Sequence, residues 1–357
     1  MSLIAVLLTA AALDFLLADP WSWPHPVQVM GWLIERYKRW VFDAIAAPRL
    51  QKVAGVGLGL LLILGSGLIG AMIVITALSI HPGLGLGIAV ILLASCFAGR
   101  SLRRAAEDVL GPLSSGDLVQ ARDRLSRYVG RDTATLSPEE IYRAIFESVT
   151  ENAIDGVLAP LFYAGFGAGL GAGFSMGFSV GFDTELSMRL GTELGTALAS
   201  QASLSGAIAG ALAYKAASTL DSMVGYRDMP YTHLGWFSAR LEDGLTWLPC
   251  RLAVLCIALL SGQPRRVLRL CWRDARQDPS PNSGWSECVY AAALGVQVGG
   301  DNHYRGQIKS KPLLGDDRQP ITPERIGRAL ELTRLCFLGW LGLMVMGIAL
   351  CLSQAAE

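Results

Sequence analysis

From Val53 to Ile80 the chain carries no charged side chain at all, and no other feature restricts its fold so strongly. A helix needs roughly 20 mostly apolar residues to cross a hydrocarbon layer ~30 Å thick, so a run of this length reads as a membrane span. A second uncharged run, Gly83 to Gly99, follows directly after His81-Pro82, which reads as the tip of a helical hairpin. Leu335 to Leu352 is equally clean. Composition agrees: 52% of the 357 residues are hydrophobic and 17% charged, whereas soluble chains carry nearer a quarter charged residues. Lys+Arg 30 balance Asp+Glu 30, so bulk charge points to no nucleic-acid partner, and disorder is excluded.

Three further segments extend the pattern. Leu3 to Ala18 is shorter and holds Asp14, and it lacks the basic start and small-x-small site of a cleaved signal peptide. Ile154 to Phe182 is apolar but crowded with glycine, which lowers helix propensity while permitting close helix packing. Asp183 to Ser203 reads as a polar outer turn, and Leu204 to Ala217 as a short returning span. The fold class expected is therefore an all-α polytopic membrane bundle, a single domain over 1–357. Its six or so spans are 3–18, 53–80, 83–99, 154–182, 204–217 and 335–352. Lys and Arg concentrate in 19–52, 99–153 and 263–334, which places 19–52, 99–153 and 218–334 in the cytoplasm and both termini outside. Trp247 to Gly262 conflicts with that orientation, and its uninterrupted core, Leu252 to Leu260, is short. It is read as a re-entrant or buried cytoplasmic helix. Seven cysteines without CxxC pairs read as buried, inert thiols.

Polar residues gather in four cytoplasmic blocks. In the first, Ala18-Asp19-Pro20 to Val27, three prolines fix a rigid turn around Trp21 and Trp23. His25 is either part of that turn or an acid/base and phosphate contact. In the second, Arg131 and Asp132 precede Ser137-Pro138-Glu139-Glu140, a capping box with proline at the first helical position. On the helix it opens, Glu147, Glu151 and Asp155 fall at i, i+4 and i+8 beside Asn152. Like charges at that spacing repel, so the stripe reads as a divalent-metal and nucleotide face, or else as partners of loop arginines. The third block holds Lys215, Asp221, Tyr226, Arg240 and Asp243. Lys215 reads equally as a membrane-edge lysine, and Arg240 with Asp243 as an intrahelical pair. The fourth runs Asp278-Pro279-Ser280-Pro281-Asn282-Ser283-Gly284-Trp285, then a helix with Glu287 near its start, then Gly299-Gly300-Asp301-Asn302 and Tyr304. Its rigid loop opening a helix offers backbone N–H groups to an anion. Neither a P-loop nor a GxGxxG fingerprint is present.

Taken in order, LDFLLADP, PHPV, GRDT, ESVTENAIDGVLAPLFY, YKAASTLDSMVGY, SARLEDGLTWLPCRL and SPNSGW with AALGVQVGG resemble the CobD/CbiB family of cobalamin biosynthesis over nearly the whole chain. Two departures stand out: Ser218 replaces the asparagine usual before Thr-Leu-Asp-Ser-Met, and the stretch 165–203 is longer than the family's link. The resemblance implies a multi-pass enzyme of the cell (inner) membrane with its active site on the cytoplasmic face. It implies adenosylcobinamide-phosphate synthase activity, joining adenosylcobyric acid to aminopropanol phosphate or its ethanolamine counterpart with ATP and Mg²⁺. Phosphoryl transfer depends on positioning and charge neutralisation. Glu147, Glu151, Asn152 and Asp155 are therefore expected at Mg²⁺–ATP, with the three carboxylates on the metal. Lys215 and Arg240 are expected to offset phosphate charge and Asp221 to act as base. His25, Arg131, Asp132, Tyr226, Asp243, Asn282 and Tyr304 are expected around the substrates. A homo-oligomer, or company with other cobalamin-pathway membrane proteins, fits such an enzyme. The rival classes are a corrinoid transporter and a non-catalytic scaffold, of which a transporter requires ionisable residues inside its spans or paired broken helices.

Overall fold

The computed structural model describes residues 3–17, 25–181, 184–226 and 228–354. In chain order the helices are α1 (Leu3–Leu16), α2 (Pro26–Ala44), α3 (Pro48–Ile80), α4 (Pro82–Ala94), α5 (Gly99–Ser114), α6 (Leu118–Leu125), α7 (Pro138–Ala153), α8 (Ala159–Gly181), α9 (Thr184–Val224), α10 (Trp236–Leu260), α11 (Pro264–Asp274), α12 (Ser283–Leu294) and α13 (Pro323–Gln354). A π-helical segment, Ile154–Leu158, joins α7 to α8. Strands β1 (Gln297–Tyr304) and β2 (Gln307–Gly315) stand between α12 and α13. The chain forms two compact units, one of residues 1–97, 159–242 and 340–357, the other of 98–158 and 243–339.

In the first unit, α3 carries no charge from Val53 to Ile80 and is apolar on its inner and outer faces alike. On α3, Leu58, Leu62 and Val74 are buried while Leu61, Leu64 and Leu68 are more than 60% exposed. Water would not tolerate that outer face, and a bilayer would. His81 ends α3 and caps α4, its Nδ1 accepting from the Gly83 amide at 3.1 Å with Pro82 at the first helical position, so the expected hairpin tip is there. The glycines of α8 and α9 let two backbones touch: a Cβ on Gly167 would run into the Gly206 carbonyl, and one on Gly210 into that of Tyr163. The polar turn expected at 183–203 is not found beyond residue 183. Residues 184–203 are the first half of the 41-residue α9, which also contains the expected span 204–217. The segment 19–52, expected as a loop, holds the amphipathic α2, which buries Met30, Ile34 and Val41. The expected Pro-rich turn at 18–24, with Trp21 and Trp23, lies outside the described residues.

Among the described residues four helices are long and apolar enough to cross a membrane: Pro48–Ile80, Pro138–Gly173, Trp236–Leu260 and Pro323–Cys351. A fifth is added if Pro82–Ala94 and Gly99–Ser114 count as one broken span. The segment expected to be too short at 247–262 is the second half of α10, a continuous 25-residue helix through Pro249, so length no longer argues against its crossing.

The second unit is a helical cluster with one hairpin. Its centre is α12, where Gly284 and every residue from Ser286 to Ala292 are buried. Tyr290 Oη lies 2.6 Å from Thr333 Oγ1, and Ser286 Oγ donates to the Thr150 carbonyl. The capping box of α7 is formed, Ser137 N donating to Glu140 Oε2 at 2.7 Å and Glu140 N to Ser137 Oγ at 3.3 Å. The antiparallel pair β1–β2 adds to the all-α expectation. It closes through Arg305 (φ 51°) and Gly306 (φ 74°), two consecutive left-handed residues that suit the twist of a two-residue hairpin loop. No disulfide links the cysteines among the described residues, and Cys96, Cys250, Cys271, Cys288 and Cys336 are buried thiols.

Candidate functional site

The second unit buries charge where an apolar core would be cheaper. Glu147, 1% exposed on α7, meets Arg131, 9% exposed. The other oxygen of Glu147 accepts from the Gly299 amide at 2.9 Å, and Arg131 also donates to Asn302 Oδ1 at 2.7 Å. Arg143, one turn before Glu147, donates to the Gly299 and Asp301 carbonyls and to Asn302 Oδ1. Gly299 and Gly300 both sit at positive φ, and a Cβ on Gly300 would stand 3.1 Å from Arg143 Nη1. Those glycines thus let the helix side chains close onto β1.

A second pair adjoins the first. Glu287 on α12 is fully buried and accepts from Lys311 Nζ on β2 at 3.0 Å. Burial raises the Glu287 carboxyl above the ordinary carboxylate range and Glu151 and Glu147 add to the rise, while the Lys311 ammonium opposes it and favours the ionised form. Burial works against the Lys311 ammonium, but Glu287, Glu151 and Glu147 prevail and raise its pKa. Three carboxylates from two helices therefore share one field with Lys311 and Arg131. Clusters of this kind concentrate at functional sites.

Several expected roles change. Glu147 commits both carboxylate oxygens inside the protein, and among the described residues no three His, Cys, Asp or Glu side chains form a group able to hold a metal ion. The Glu147, Glu151 and Asp155 carboxylates do not come together as one group of three here, and Asp155 sits on the π segment where the 3.6-residue register of α7 ends. Asn152 is exposed, its amide turned back to the Ser148 carbonyl at 2.8 Å. Asp132 is a turn clamp: its carboxylate accepts from the Arg305 and Gly306 amides at 3.1 and 2.8 Å. Asn282 is structural, donating to the Asp243 carbonyl at 2.8 Å and accepting from Arg251 at 3.0 Å. Ser280 Oγ takes the Asn282 and Ser283 amides, so the α12 N-terminus does not present them to an anion. Tyr304 lies beneath Lys309, 5.8 Å from its ring centroid.

The first unit holds the remaining expected residues. Lys215 and Asp221 are half-buried on α9, and a Cβ on Gly225 would collide with the Asp221 carboxylate. Tyr226, 56% exposed, donates to the Ser222 carbonyl at 3.0 Å. Arg240 is exposed on α10. His25 caps α2, its Nδ1 accepting from the Val27 amide at 3.3 Å. Arg143, Glu287, Asn302 and Lys311 were not among the expected site residues. A lone acid in the apolar helix SGWSECVYAAAL is itself a signal, since an acid is rarely fully buried without a partner. Nothing local marks Lys311.

A family model described as CobD/Cbib protein matches residues 7–333. The chain is 46% identical over 356 residues to the cobalamin biosynthesis protein CobD of Synechocystis sp., covering 99% of this chain and 94% of that protein. It is 37% identical over 329 residues to the cobalamin biosynthesis protein CbiB of Salmonella arizonae, and 36% identical over 324 residues to the CobD of Citrobacter koseri. Each match covers 90% of this chain, with 90% and 89% of the relatives. No solved structure matches it. With the family model spanning nearly the whole chain and these relatives aligned end to end, the chain belongs to the CobD/CbiB family of cobalamin biosynthesis proteins.

Proposed function

We propose that the protein is an ATP-dependent amide-forming synthase, joining adenosylcobyric acid to an amino-alcohol phosphate to give adenosylcobinamide phosphate. The observation that carries this beyond family membership is the cluster of buried Glu147, Glu287 and Arg131 with half-buried Glu151 and Lys311. A cluster so costly to bury weighs against a purely scaffolding role.

In this reading ATP, when bound with Mg²⁺, supplies the phosphoryl group that activates the corrinoid carboxylate. A Mg²⁺ carried on a triphosphate needs only one or two carboxylates. Glu151 and Asp155, both half-buried, are assigned to that role. The Arg131–Glu147 pair holds β1 against α7 and positions Asn302. Lys215 and Arg240 are assigned to phosphate charge, and Asp221 to removal of the amine proton. The segments 99–153 and 263–334, with their excess of Lys and Arg, face the cytoplasm.

The test is direct. Purified protein given adenosylcobyric acid, amino-alcohol phosphate and Mg²⁺–ATP yields the amide and ADP; absence of both products overturns the reading. Asp221→Asn lowers kcat by about 10²-fold, the contribution of a positioned base. Full activity in that variant removes Asp221 from the mechanism.

A further inference from the structure

Glu287 Oε2, Asn302 Nδ2 and Arg143 Nε are each buried without a hydrogen-bond partner. A buried polar atom without a partner is costly, so one acceptor and two donors orphaned in one charge cluster point to a ligand carrying groups of both kinds. The hairpin register sets their placement. Gly300 lies opposite Lys311, and Asn302 lies two residues on, so Gly300, Asn302 and Lys311 share one face of the sheet. The Arg143 guanidinium rests where a Gly300 side chain would stand.

The charges divide unevenly. Arg143 donates to main-chain carbonyls and to the Asn302 amide oxygen, and none of these neutralises it. Glu287 shares Lys311 with Glu151, while Glu147 is matched by Arg131. One cation therefore lacks an anion, and two carboxylates on the other side share a single lysine. A divalent metal is disfavoured on Glu287 itself, whose Oε1 holds Lys311 Nζ at 3.0 Å.

We infer that this face of the hairpin is the aminoalkyl-phosphate subsite, with Arg143, Lys311 and Asn302 Nδ2 on the phosphate and Glu287 Oε2 on the ammonium. The assignment rests on the synthase reading for the identity of its ligand, but binding is measured without turnover. Gly300 lets the Arg143 guanidinium lie against the strand, and fully buried Glu287 is the inner wall that selects a cationic end.

Calorimetric titration of the full-length protein in detergent, without nucleotide or corrinoid, compares ethanolamine phosphate with ethyl phosphate and ethanolamine. Wild type binds ethanolamine phosphate about tenfold or more tighter than ethyl phosphate, as a lost charge-assisted hydrogen bond requires. Glu287→Gln removes that preference and leaves ethyl phosphate affinity unchanged. Arg143→Lys weakens both phosphates and leaves the preference intact. No binding of ethanolamine phosphate to wild type, or unchanged affinities in both variants, overturns the subsite. If the binding pattern appears but no amide forms in the complete assay, the subsite stands and the synthase reading fails. If amide forms and KM for the amine is unaltered in both variants, the subsite fails and the reading stands.

Discussion

Glu147 and Glu287 are the same side chain in two different electrostatic settings. Glu147 has a guanidinium on one oxygen and a backbone amide on the other, so its charge is matched inside the protein. Glu287 has a single lysine, which it shares with Glu151, and one bare oxygen. Removing a partner from a buried ion pair leaves an uncompensated charge. Arg131→Ala is therefore expected to cost about 3–5 kcal/mol and to lower the thermal midpoint in detergent well below that of wild type. A midpoint within a degree of wild type would show that the pair is not a structural tie. The acids of α7 were legible because they fall at helical spacing. Their counter-ions were not: Arg131 is 16 residues from Glu147, and Lys311 is 24 residues from Glu287 across a strand pairing.

At the scale of elements, the capping box of α7 and the His81-Pro82 turn were readable because each is closed by residues within a few positions. The hairpin was not, although Gly306 marks its turn, because β1 and β2 lack a clear alternation of apolar and polar residues. Asp132 holds that turn from outside. Backbone amides of Gly306 and Arg305 keep its carboxyl below the ordinary 3.8, so the clamp is whole above that value and is lost as pH falls through the lower folded-state one. Amide exchange at Arg305 and Gly306, corrected for its intrinsic pH dependence, should accelerate below about pH 4 in wild type. In Asp132→Asn it should be fast already at neutral pH; equal protection in the two proteins at pH 7 would refute the clamp. The glycines of α8 and α9 were correctly read as permitting close packing, but not as joining two helices of 23 and 41 residues. Gly206→Leu drives a side chain into the Gly167 carbonyl and should destabilise the protein by about 1–3 kcal/mol, whereas Gly169→Leu, which meets open space, should not. Thermal unfolding of the two variants separates these outcomes.

For the whole molecule, the excess of arginine in 99–153 and 263–334 predicts one orientation in the bilayer. Alkaline phosphatase fused after Gly116 or Gly306 should be inactive, and a fluorescent protein fused at the same points should glow; the opposite pattern would invert the topology. What the sequence alone determined is what depends on near neighbours along the chain: apolar length, helix caps, charge bias and the ordered motifs that carry family membership. Tertiary structure alone decided which carboxylates meet which cations and that α9 runs unbroken from Thr184. It also decided that Gly299 and Gly300 open a strand to Arg143. The physical reason is range. A helix cap is satisfied within one turn, whereas the charge on Glu287 is set first by its burial and then by Lys311 of β2 and the acids of α7, all of which depend on the folded chain.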